Sequence, residues 1–183
     1  MNQSQPGFVD AFSQNFAITP GETALIVIDM QNATGNPDMG LGKLLAERGE
    51  FEGAAYRFNR INELLIPNIQ KLLAGFRTLG SEVIYVTYGA NAPDASDAPA
   101  HMAPIIRATN NIAGQKEHEI VAPLQPQSGE LVVNKTTQGA FCSTGLDTTL
   151  RAKGIKTVVT VGVSTNNCVA MTSMEACDLQ YRV

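Results

Sequence analysis

The chain is expected to fold as an α/β protein, a doubly wound, mainly parallel sheet with helices on both faces. Three observations predict this. Short apolar, β-branched runs recur along the 183 residues at 24–28, 83–87, 131–133 and 157–161. Segments with apolar residues at helical spacing lie between them, and polar or reactive side chains stand where the runs end. Strands alternating with helices pair in parallel through right-handed crossovers, and such Rossmann-like sheets bind ligands at the carboxyl ends of their strands.

The first run, Ala24-Leu25-Ile26-Val27-Ile28, is continuous and ends in Asp29, which is how a strand buried on both faces reads. A polar, Gly-containing stretch follows it. Leu65, Ile69, Leu72, Leu73 and Phe76 then share one helical face, with Pro67 suited to the first turn and Gly80 to the stop. The second strand is Val83–Thr87, and the third is Leu131–Val133, just before Lys135. Between them lie five prolines, at 93, 99, 104, 123 and 126, so only a short helix at Ala103–Ala108 is expected there. Leu146–Ala152 reads as a helix stopped by Gly154, Thr157–Val161 as the fourth strand and Val169–Cys177 as a helix; Tyr181–Val183 could begin a fifth strand.

Length and a hydrophobic content of 44% fit one domain over residues 1–183, with the first 20 or so residues as an extension. The net charge of -4 and 13 scattered Lys and Arg leave no phosphate-tracking surface, so no nucleic-acid partner is expected. The first 20 residues have no basic start or apolar run, and the longest apolar run elsewhere is too short for a bilayer. A soluble, cytoplasmic protein without a membrane partner is the expectation. Cys142, Cys168 and Cys177 fit neither a disulfide framework nor a zinc site and read as reduced thiols.

Asp29, Lys135 and the segment before Cys168 all fall at strand ends. A carboxylate, an ammonium and a thiol in one crevice are the parts needed for nucleophilic attack on a carbonyl with assisted proton transfer. Each has a plainer reading: Cys168 as a buried small hydrophobe, Asp29 as a turn or cap residue, Lys135 as a solvated strand end. Cys177, nine residues after Cys168, reads as core, and Cys142 as packing or pocket lining.

The sequence resembles the isochorismatase-like cysteine hydrolases, the group that includes nicotinamidase-related enzymes and N-carbamoyl and ureido amidohydrolases. Leu25-Ile26-Val27-Ile28-Asp29-Met30-Gln31-Asn32 looks like their opening strand signature. Val133-Asn134-Lys135 with Gly139-Ala140-Phe141 and Thr144-Gly145-Leu146 is similar to their lysine strand and the loop and helix after it. Gly162 through Val169 matches their nucleophile turn.

The resemblance implies a triad of Asp29, Lys135 and Cys168. It also implies an oxyanion hole of the Ser164 and Cys168 amides beside a cis peptide between Val163 and Ser164. In that scheme Asp29 takes the thiol proton, Lys135 keeps Asp29 ionised, and the helix N-terminus after Thr165-Asn166-Asn167 favours the thiolate. Attack then gives a thioester acyl-enzyme. Gln31, Phe141 and Asn167 are expected in the substrate pocket.

His101 and His118 form no Asp-x-His-x-x-His cluster like that of metal-containing nicotinamidases, so no metal or other cofactor is expected and both read as loop residues. After Asn32 the chain carries Ala33-Thr34-Gly35 where relatives often have Asp-Phe, and relatives continue past Val183 with a further strand and helix. The leading expectation is a metal-free amidohydrolase acting on a small amide, ureido or N-carbamoyl compound, as a dimer or tetramer. An isochorismatase-type hydrolase, a truncated non-catalytic paralogue and a redox protein using Cys142 with Cys168 are the alternatives.

Overall fold

The computed structural model describes residues 16–183. The expected N-terminal extension falls largely outside the described residues. Four strands, β1 (Thr23–Ile28), β2 (Glu82–Tyr88), β3 (Leu131–Lys135) and β4 (Thr157–Gly162), form one parallel sheet in the order β3-β2-β1-β4. The central position of β1 follows from its sequence: all six of its residues are buried, five of them apolar, and the one polar side chain, Thr23, bonds to the Thr19 carbonyl. Alternation divides those side chains between two cores. Ala24, Ile26 and Ile28 pack with Leu146, Leu150, Cys168 and Ala176 on one face. Leu25 and Val27 pack with Ile61, Ile69, Leu73 and Phe76 on the other. Both faces are therefore covered, as a doubly wound sheet requires.

The helices are α1 (Asn32–Gly35), α2 (Gly40–Glu47), α3 (Phe51–Arg60), α4 (Ile66–Thr78), α5 (Ala103–Ala108), α6 (Leu146–Ala152) and α7 (Ala170–Asp178). Ala103–Ala108 and Leu146–Ala152 coincide with the expected spans. The helix expected from Leu65 is much longer. A wide turn at Ile61–Leu65, in which the Ile66 amide reaches the Ile61 carbonyl, joins α3 and α4 into one helical run from 51 to 78. Pro67 thus sits inside a helix, directly after a wide turn that adjusts the backbone around its missing N–H.

The stretch after Asp29, read from sequence only as polar and Gly-containing, holds α1, α2 and the start of α3. Leu41, Leu44 and Leu45 in α2 and Phe51, Ala54, Ala55 and Phe58 in α3 stand at helical spacing, yet only Phe58 of these is buried, and α2 also carries glycines at 40 and 42. The glycines are required there: a Cβ on Gly42 would run into the Pro37 backbone, and Gly40 has a φ of +48° against Ala33. Gly80 and Gly154 end α4 and α6 as expected, with φ of +66° and +70°; the amides that follow them return to Phe76 and Leu150. Where a fifth strand could begin, Arg182 makes a single parallel bridge beside β4, its backbone bonded to Lys156 and Val158.

The expectation of a buried Cys177 is corrected. Cys177 is exposed, because Thr172 and Ala176 form the inward side of α7. Cys142 is exposed as well.

Candidate active site

The carboxyl ends of β1, β3 and β4 converge as the parallel topology demands. Asp29 leaves β1 with φ of +54°, outside the usual range for a residue with a side chain. Its amide bonds to the Val86 carbonyl, and its own carbonyl accepts from the Gln31 amide at 2.9 Å and from the Thr34 hydroxyl. Those contacts hold the side chain inward, where it is 2% exposed. Lys135, the last residue of β3, is fully buried. Its Nζ lies 3.0 Å from Asp29 Oδ2, donates to the Thr137 carbonyl at 3.1 Å and sits 4.3 Å from the centre of the Tyr88 ring. Asp29 Oδ1 is buried without a hydrogen-bond partner that meets ordinary geometry.

Cys168 adjoins this pair from the turn Thr165–Val169, between β4 and α7. Gly162 makes the turn possible: its φ is +128°, and a Cβ would collide with the Ile28 carbonyl oxygen. The peptide between Val163 and Ser164 is cis. The Ser164 amide donates to no acceptor among the described residues.

Burial, then the neighbouring Asp29 charge, push the Cys168 thiol up to about 12, against the opposing pull of Lys135. The resting thiol therefore keeps its proton. The expectation that the helix terminus would favour a free thiolate is outweighed by desolvation and the adjacent carboxylate. Burial also raises Asp29 above the usual carboxylate range, with Lys135 opposing it. A protonated thiol beside a carboxylate made more basic by burial is an arrangement poised for proton transfer between them.

A cavity of about 210 Å³ opens over these groups, its wall including Asp29, Tyr88, Ser164, Asn167 and Cys168. That is smaller than the roughly 300–1,000 Å³ typical of drug-sized ligands, so the site suits a compact molecule. Asn167 lines the cavity, as expected. Gln31 and Phe141, expected there too, do not. The Gln31 amide is fully buried behind the site, its Oε1 accepting from the Tyr88 amide at 2.7 Å and its Nε2 donating to the His118 and Tyr88 carbonyls at 2.8 and 3.1 Å. Phe141 packs into the α6–α7 core, 5.9 Å from the Tyr181 ring.

His118 is also drawn in. Its Nδ1 lies 3.0 Å from Asn111 Oδ1 and 3.1 Å from Gln31 Nε2, and burial lowers its pKa; His101 is exposed. Among the described residues no three His, Cys, Asp or Glu side chains cluster to hold a metal ion.

Sequence reasoning missed Arg57. It reaches from α3 to the cavity wall, donating from Nη1 to Ser164 Oγ at 2.8 Å and from Nη2 to the Thr34 carbonyl at 3.2 Å. Nothing in the local pattern marks it, since a lone Arg on an amphipathic helix reads as a solvated side chain.

Residues 23–183 match the isochorismatase domain family. The ureidoacrylate amidohydrolase RutB of Variovorax paradoxus is 31% identical over 191 residues, covering 96% of this chain and 71% of that protein. The RutB protein of Caulobacter segnis is 34% identical over 178 residues, covering 90% and 70%. Among solved structures, a cysteine hydrolase from Pseudomonas syringae pv. phaseolicola superposes with a TM-score of 0.71 at 27% identity over 91% of this chain and 71% of its own. N-carbamoylsarcosine amidase from Thermoplasma acidophilum does so with a TM-score of 0.66 at 25% identity, over 88% and 79%.

Proposed function

Because the chain belongs to the isochorismatase family of hydrolases, we propose that it is a metal-free cysteine amidohydrolase that opens a C–N bond of a small ureido, N-carbamoyl or amide compound through a thioester acyl-enzyme. A hydrolase of non-peptide C–N bonds is what its amidohydrolase relatives support. The observation that carries the cysteine mechanism is the buried Asp29–Lys135 ion pair, 3.0 Å across, next to Cys168 at the cavity wall.

Asp29 accepts the thiol proton as Cys168 Sγ attacks the carbonyl carbon. Lys135, already bonded to Asp29 and the Thr137 carbonyl, keeps the carboxylate available as a base. The Ser164 and Cys168 amides receive the oxyanion as it forms. Collapse expels the amine or ammonia, which takes the proton from Asp29. Water, deprotonated by the same carboxylate, then cleaves the thioester (a thiocarbamate when the carbonyl is ureido) and returns the thiol.

The redox alternative loses support because Cys142 is exposed and lies outside the cavity wall. We also propose that the chain works as a homo-oligomer in the cytoplasm, with exposed Tyr56 and Leu64 beside the site as a face that association would cover. Among the described residues no helix is long and apolar enough to cross a membrane.

The test is ammonia release from a panel of small amides and N-carbamoyl compounds, repeated with Cys168→Ala and with a chelator. Release that disappears in the variant and ignores the chelator supports the proposal. Release that survives Cys168→Ala overturns it.

A further inference from the structure

The cavity wall holds a guanidinium that the mechanism above does not use. Arg57 carries five N–H donors, and two are accounted for, one on Ser164 Oγ and one on the Thr34 carbonyl. Its Nε is buried with no hydrogen-bond partner, and no Asp or Glu among the described residues pairs with it. The Asp29 charge in the same cavity is already answered by Lys135. The site therefore carries one unanswered positive charge, set among the apolar side chains of Leu41, Met102, Ile105 and Ile106. Buried charges in proteins are paired or bind a ligand of opposite sign, and a guanidinium matches a carboxylate through two parallel N–H donors.

We infer that Arg57 anchors a carboxylate of the substrate, so that the preferred substrates are short ureido or amide acids rather than neutral amides. The inference rests on the amidohydrolase reading for the reaction and on the guanidinium itself for the anion. The two bonds to Ser164 and Thr34 fix the plane of the guanidinium and leave donors for the ligand. The link to Ser164, whose amide faces the reacting carbonyl in the mechanism above, sets the distance. A carboxylate on Arg57 stands only a few bonds from that carbonyl, which fits the small cavity. Burial pulls the Arg57 pKa down, against the opposing effect of Cys168; an incoming carboxylate would restore it.

The test separates binding from turnover. In the Cys168→Ala protein, titration calorimetry measures N-carbamoylglycine and N-carbamoyl-β-alanine against their neutral amide counterparts, with Arg57 intact, as Arg57→Lys and as Arg57→Gln. The expected result is tighter binding of at least one acid than of its amide. Arg57→Gln should weaken that acid on the order of 30-fold or more while leaving the amide unchanged. Arg57→Lys, which keeps the charge but not the fork, should retain part of the preference.

Equal binding of acids and amides, no binding of either acid, or an equal loss for both classes in Arg57→Gln would overturn the anchor. An equal loss would mean that Arg57 only ties α3 to the Ser164 turn. Ammonia release by the protein with Cys168 in place is followed separately. Failure of the reaction with Arg57-dependent acid binding intact, or the reverse, then tells which reading has failed.

Discussion

In the proposed mechanism Asp29 has two opposed effects on Cys168: its charge holds the proton on the sulfur in the resting site, and its basicity removes that proton during attack. Asp29→Asn separates them. Without the charge the thiol pKa falls from about 12, so the pH profile of iodoacetamide alkylation at Cys168 should move to lower pH. Ammonia release should fall about 10²–10⁴-fold, the usual contribution of a general base. Alkylation and turnover declining together would contradict this division of roles.

Lys135→Met leaves the Asp29 carboxylate buried and alone, and should cost about 3–5 kcal/mol of stability in chemical denaturation. Adding Asp29→Asn should recover much of that loss. At this scale Asp29 and Lys135 were legible as polar ends of apolar runs, and Cys168 through the turn from Gly162 that resembles the family's. Arg57 and the inward role of Gln31 were not, because each is defined by partners at least 23 residues away, Thr34 for Arg57 and Tyr88 and His118 for Gln31.

The turn between β4 and α7 sets the sulfur in place, and the loop after β3 is tied to the same helix. The Ala140 amide donates to Thr172 Oγ1 at 3.2 Å and the Phe141 amide to Glu175 Oε2 at 2.9 Å, so α7 joins the Lys135 and Cys168 sides of the site. Gly162→Ala should break this junction, since its Cβ would meet the β1 backbone at a left-handed φ; a loss of about 3 kcal/mol or more in thermal or chemical unfolding is expected. Gly53→Ala on α3, where a Cβ meets nothing within 4 Å, should instead stabilise by about 0.5–1 kcal/mol. If the two substitutions act alike, the close approach of β4 to β1 is not what requires the glycine. Elements with continuous apolar runs or clean caps, such as β1 and α6, were readable from sequence. The α1–α3 region was not, because glycines at 40, 42, 49 and 53 interrupt it and the short apolar stripes of α2 and α3, apart from Phe58, stay only partly buried.

Across the whole molecule, two cores clamp β1 from opposite faces, and the buried amide of Gln31 links the ends of β1 and β2 to the segment at Asn111–His118. His118 makes that link sensitive to pH. Its pKa is lowered in the folded state, so below the unfolded value of about 6.5 the unfolded chain binds the proton more readily. Stability present above about pH 6.5 should be lost as pH falls toward the lowered folded value, and His118→Gln should flatten the dependence of Tm between about pH 7 and 5. An unchanged slope in that variant would place the titration elsewhere. The fold class was legible because apolar runs and helical spacings alternate along the chain; the cavity was not, because its wall is drawn from β1, α1, α2, α3, β2, α5 and the Cys168 turn.

The central claim is that Cys168 carries the acyl group between two half-reactions. With enzyme in excess over an N-carbamoyl or amide substrate that it turns over, rapid acid quenching followed by peptide mass spectrometry reads this directly. The account predicts a transient adduct on the peptide containing Cys168, with ammonia or amine released ahead of the hydrolysed product. Both products forming together with no adduct at any time, or an adduct on another residue, would contradict it.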